Sequence, residues 1–69
     1  MKLIWKDIDD IAILLHEKFP DQDPIKIRFT DLLDRVMALS EFTGKREESN
    51  EAKLEAIQMA WLEEFQADA

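Results

Sequence analysis

The sequence predicts a mainly α fold: a small three-helix domain with at most short extended segments. Apolar residues recur at helical spacing in three separate stretches, each preceded by a residue able to cap a helix. The residues that interrupt helices, Pro20, Pro24 and the single glycine, Gly44, lie between those stretches. With 46% apolar residues, a chain of 69 can form one core and is not disordered, and the 36% that are charged must coat its surface.

Asp7 is a good N-cap, and Ile8, Ile11, Ala12, Leu15 and Phe19 follow at helical spacing until Pro20. This predicts a first helix over residues 8–18. In Phe19-Pro20-Asp21-Gln22-Asp23-Pro24, two prolines and two aspartates favour an ordered turn, because the residue before each proline is pushed out of the helical region. Ile25, Ile27 and Phe29 alternate with Lys26 and Arg28, and Leu3 and Trp5 alternate between lysines. Period two of this kind suggests brief extended segments, which could pair into a small two-stranded element. Thr30 can cap a second helix over residues 31–40. Asp31 would sit at its positive end, Leu32, Val36 and Leu39 on its inner face, and Leu33 and Met37 would widen that face. Gly44 suits a left-handed closing position. After the polar run Lys45-Arg46-Glu47-Glu48-Ser49, Asn50 caps a third helix with Leu54, Ile57, Trp61, Leu62 and Phe65 as its buried stripe, and the last residues, to Ala69, fray.

Sixteen Asp and Glu against nine Lys and Arg leave a net charge of −7 with His16 neutral. That excess opposes phosphate backbones, so a nucleic-acid partner is disfavoured. A chain this short buries only about 60% of its extended surface, which leaves little stability for a deep catalytic cavity. The absence of cysteine excludes disulfides, thiolate zinc sites and cysteine nucleophiles. Serines occur only at positions 40 and 49, and a single glycine cannot form a phosphate-binding loop, so the chain reads as no enzyme. The longest apolar run, residues 11–15, falls far short of the roughly 18 residues of a membrane span, and the first residues lack the apolar core of a signal peptide. A cytoplasmic monomer is expected, its apolar residues being used up by one core.

The carboxylates are the remaining chemistry. Asp21 and Asp23 lie two apart in the proline-bounded turn, and Asp31 and Asp34 three apart on one helix face. Crowded like charges cost stability unless a cation or a basic partner neutralises them. Hard cations and iron accept such oxygens, although no spacing matches a calcium loop or a two-histidine iron triad. From the residues alone, plain solvation is the simpler account. His16, beside Ala12 and Leu15, reads as a boundary residue with one nitrogen wet in preference to a metal ligand, and the six aromatic residues read as core.

Several motifs are more specific. Trp5-Lys6-Asp7, the Pro-Asp-x-Asp-Pro turn at residues 20–24, Arg28-Phe29-Thr30-Asp31-Leu32, Leu39 with Phe42, Ser49-Asn50-Glu51, Leu54-Glu55-Ala56-Ile57 and Trp61-Leu62-Glu63-Glu64 occur in one order over nearly the whole chain. Together they resemble the IscX family, acidic accessory proteins of bacterial iron–sulfur cluster assembly. The resemblance implies a compact fold related to the winged helix. It also implies weak binding of ferrous or ferric iron by surface carboxylates and docking of an acidic face on the cysteine desulfurase IscS, in competition with frataxin. Modulation of cluster assembly, or donation of iron to it, would follow. Carried over by position, Asp21, Asp23 and Asp31 match the acidic motif and are candidates for iron and for the desulfurase contact. Glu41 falls where the family has an acid, and Asp34 is an additional local carboxylate. Arg28 pairs with Asp31 or another motif carboxylate, or meets an anion of the partner. Where some relatives carry a run of aspartates, this chain has Thr43-Gly44-Lys45-Arg46, so no iron ligand is assigned there. A helical interaction module without a metal role and a winged-helix nucleic-acid binder are the alternatives.

Overall fold

In the computed structural model, which describes residues 2–68, three helices surround one core. α1 spans Ile8–Lys18, as its spacing predicts, and turns Ile11, Ala12 and Leu15 fully inward. Asp7 occupies the cap position, but its carboxylate accepts the Ile4 N–H at 2.9 Å and no helix N–H. The aspartate thus fastens the entering chain to the helix start instead of satisfying the helix's own free donors.

Residues 25–29 are not a strand. Pro24–Lys26 form a 3₁₀ turn whose first free N–H, that of Ile25, is accepted by Asp23 Oδ1 at 3.0 Å. A proline in the first position and a carboxylate cap favour a turn over extended chain. Ile27 is buried while Ile25 is 60% exposed, so the apparent alternation does not describe one buried face. α2 spans Phe29–Ala38 with Arg28 before it, two residues ahead of the predicted start, and Thr30 lies inside the helix and caps nothing. Phe29 packs partly buried against the core, and that contact outweighs the hydroxyl's preference for the cap. Leu32 and Val36 are wholly enclosed, as their spacing predicts.

The extended segment at Leu3 pairs not with residues 25–29 but with Phe42, in one isolated parallel bridge. Leu3 N–H donates to Glu41 O and Thr43 N–H to Leu3 O, each at 2.7 Å. Gly44 does not adopt a left-handed conformation. A Cβ there would lie 2.5 Å from Phe42 Cζ and 2.9 Å from Trp5 Cδ1 and Nε1. Glycine is required by the close approach of two rings, which meet edge to face at 4.9 Å, and Trp5 Nε1–H then donates to Lys45 O at 2.8 Å.

A second 3₁₀ turn, Arg46–Glu48, leads into α3, Glu51–Ala67, where Asn50 Oδ1 accepts the Lys53 N–H at 2.8 Å. The expected fraying does not reach Asp68, whose N–H still bonds Glu64 O, and Ala69 lies outside the described residues. α3 packs chiefly along α1 and seats Leu54, Ile57 and Trp61 in the core, with Leu62 and Phe65 half-buried. Gln58 Nε2 donates to Pro24 O at 2.9 Å and ties the proline turn to the same helix. No helix among the described residues is long and apolar enough to cross a membrane.

Candidate functional site

The predicted acidic residues all lie at the surface, held there by the proline turn, by α2 and by the segment after it. Asp21 is exposed beside a shallow cleft lined by His16, Pro20, Phe65 and Asp68. Asp23 is half-buried and spends one carboxylate oxygen on capping Ile25. Asp31 is exposed in the first turn of α2, where the helix dipole favours its charge, and has no ion-pair partner among the described residues. Asp34, one turn further along α2, is bound by the Arg46 guanidinium. Glu41 accepts from Ser40 Oγ at 3.0 Å and lies 3.9 Å from Lys18 Nζ. Hydrogen bonds from its own backbone N–H and then from Ser40 hold its carboxyl below the usual glutamate range, with Lys18 adding to the effect.

One sequence-based expectation changes. Arg28 is exposed just before α2 and pairs with no carboxylate among the described residues, neither Asp31 nor any other motif acid. His16 is the boundary residue the sequence predicts, half-buried at the rim of the cleft. Its Nε2 meets the exposed Asp68 Oδ2 at 2.9 Å, while Nδ1 is buried without a partner. Three contacts had no local signal in the sequence: His16 with Asp68, Arg46 with Asp34, and Arg35. The last lies 4.5 Å over the Phe19 ring and donates to Gln22 Oε1 at 3.2 Å. Each joins residues twelve or more apart, beyond the reach of helical or strand periodicity.

Among the described residues, no group of three or more His, Cys, Asp or Glu side chains could hold a metal ion. The carboxylates therefore do not make a chelating centre. They form a spread of negative charge on a chain of net −7, suited to steering and orienting a cationic surface.

Fold and surface together define a small three-helix protein with carboxylates at its surface and no group of three metal-ligating side chains among its described residues. The family model described as iron-sulphur cluster assembly matches residues 3–66, almost the whole chain. The chain belongs to that family, the IscX family its motifs resemble, and its role lies in iron–sulfur cluster assembly. It is also similar to an uncharacterized protein of Pseudomonas aeruginosa, with 47% identity over 64 residues that cover 93% of this chain and 97% of that protein.

Proposed function

We propose that this protein is a non-enzymatic accessory factor that docks on the cysteine desulfurase IscS through its acidic face and so modulates cluster assembly. The observation that carries the reading is the state of the carboxylates. Asp21 and Asp31 stand exposed without a cationic partner among the described residues, whereas Asp34 and Glu41 are already met by Arg46 and Lys18. Two unneutralised acids in a chain of net −7 have electrostatic free energy to gain from a basic surface. Docking of this kind is fast, oriented and weakened by salt. Competition with frataxin for the desulfurase follows if both use the same basic patch.

Iron is the weaker half of the proposal. Without three convergent donors, a ferrous or ferric ion would be held by one or two carboxylates and by water, with Asp31 and Asp34 the nearest pair along a helix. Docking needs no convergent donors, and none converge among the described residues, so docking is the half the carboxylates support better. The test is binding of IscS by wild type and by the triple variant Asp21→Asn, Asp23→Asn, Asp31→Asn. Loss of salt-sensitive binding in the variant supports the proposed face, and retained affinity removes these residues from it. Titration with ferrous iron, followed by amide shifts, tests the metal half: no shift at millimolar iron leaves docking alone.

A further inference from the structure

One part of the molecule departs from its acidic character. Segments 2–7 and 45–53 hold five of the nine Lys and Arg but only four of the sixteen Asp and Glu, so they carry +1 while the rest of the chain carries −8. The fold brings these segments together: Trp5 Nε1–H donates to Lys45 O at 2.8 Å, and Leu3 pairs with Phe42 shortly before the second segment begins. Between them lies a cleft of about 250 Å³ lined by Ile4, Trp5, Lys6, Glu48 and Lys53.

The lining joins apolar surface to unmatched positive charge. Ile4 is 48% exposed, and the Trp5 indole, its N–H taken by Lys45 O, offers only carbon. Lys6 and Lys53 form no ion pair among the described residues; Lys53 Nζ is held by a carbonyl, Glu48 O, at 2.7 Å. The nearby carboxylates are turned to backbone: Asp7 accepts the Ile4 N–H at 2.9 Å, and Glu48 Oε1 accepts the Lys45 N–H at 3.1 Å.

We infer that this cleft binds a peptide segment of a partner in which an apolar side chain is flanked by carboxylates. The apolar side chain covers Ile4 and the Trp5 indole, and the carboxylates meet Lys6 and Lys53. The volume suits one large side chain and falls below the roughly 300–1,000 Å³ of small-molecule sites. No arginine fork lines the cleft, and the −8 carried elsewhere repels the extended anionic surfaces of nucleic acid and lipid. A short acidic peptide reaches little beyond the two lysines, since charges more than about 10 Å away are screened. The site shares no residue with the proposed acidic docking face and is opposite to it in charge.

The probe is a capped hexapeptide of alternating leucine and glutamate, titrated into the full chain and followed through the Ile4 methyl and Trp5 indole N–H resonances. Both resonances should shift and saturate, and the alternating serine–glutamate peptide of equal charge should bind about five-fold more weakly or worse. Lys6→Gln and Lys26→Gln each take the chain from −7 to −8, but only Lys6 lines the cleft. Lys6→Gln should therefore weaken binding about two- to five-fold relative to Lys26→Gln. Ile4→Ser, with charge unchanged, should weaken it about five-fold. Equal affinities of the two lysine variants, equal affinities for the leucine and serine peptides, or no saturable shift at millimolar peptide would overturn the inference. So would the same shifts produced instead by phosphatidylglycerol vesicles, or by concentrating the protein without peptide, which would put lipid or a second copy in the cleft. IscS takes no part, so failure of the desulfurase reading leaves the result standing.

Discussion

Replacing Gly44 with alanine separates two reasons for a glycine. The backbone there has no positive φ, so alanine carries no conformational penalty and would gain about 0.4–1 kcal/mol by restricting the unfolded chain. Against that gain stand contacts no real side chain makes: the new Cβ would lie 2.5 Å from Phe42 Cζ and 2.9 Å from two atoms of the Trp5 indole. Neither ring has room to move freely, because Trp5 is 5% and Phe42 8% exposed and the two rings pack on each other. Overpacking a tight site costs about 1–3 kcal/mol. A shift of the indole also weakens its hydrogen bond to Lys45 O, worth about 1 kcal/mol. The net expectation is a loss of about 1–3 kcal/mol, or roughly 4–20 °C in Tm for a domain of this size. Urea unfolding followed by tryptophan fluorescence measures it. Gly44→Asn makes the comparison decisive: a left-handed site tolerates asparagine better than alanine, whereas a crowded site tolerates it worse. Asparagine milder than alanine, or an alanine variant within about 0.5 kcal/mol of wild type, would refute the packing argument.

Asn50→Ala removes the acceptor for the Lys53 N–H and should cost about 1 kcal/mol, whereas Thr30→Ala, inside α2 and capping nothing, should change stability by less than about 0.5 kcal/mol; urea midpoints of the two variants give both values. Trp5→Phe loses the bond to Lys45 O, while Trp61→Phe removes an indole N–H that is buried without a partner, so the first should be the more costly by about 1 kcal/mol in the same assay. Glu41 titrates below its unfolded value, so its contribution to stability is full above the unfolded pKa and is lost as pH falls through the lower folded one. Carboxyl carbon shifts against pH should therefore place Glu41 below the ordinary glutamate range, and Ser40→Ala should raise it.

The helices were legible because each rests on a signal within a few residues. Ile8, Ile11, Ala12 and Leu15 repeat at the helical period, and Asn50 offers a carboxamide to the N–H three residues on. The start of α2 was misplaced because Phe29 is drawn into the core ahead of Thr30, a tertiary contact that overrides local capping preference. Alternation at residues 25–29 imitated a strand, since a 3₁₀ turn followed by a helix start happens to bury Ile27 and half-bury Phe29. Leu3 was recognisable as extended, but its partner was not: a single parallel bridge to Phe42 leaves no pattern along the chain. At the candidate site, the acidic residues could be named from the motifs, while their different states could not. Whether a carboxylate stands alone, as Asp31 does, or is met by Arg46, as Asp34 is, depends on where the chain after Phe42 brings Arg46.

In the proposed docking, exposed, unpaired carboxylates meet a basic partner. Calorimetric titration into IscS at two salt concentrations, with and without ferrous iron, tests it most directly. The expected result is association at low salt that weakens markedly at high salt and changes little with iron, because no group of three metal-ligating side chains occurs among the described residues. Absence of binding at both salt concentrations, or an affinity indifferent to salt, would contradict it.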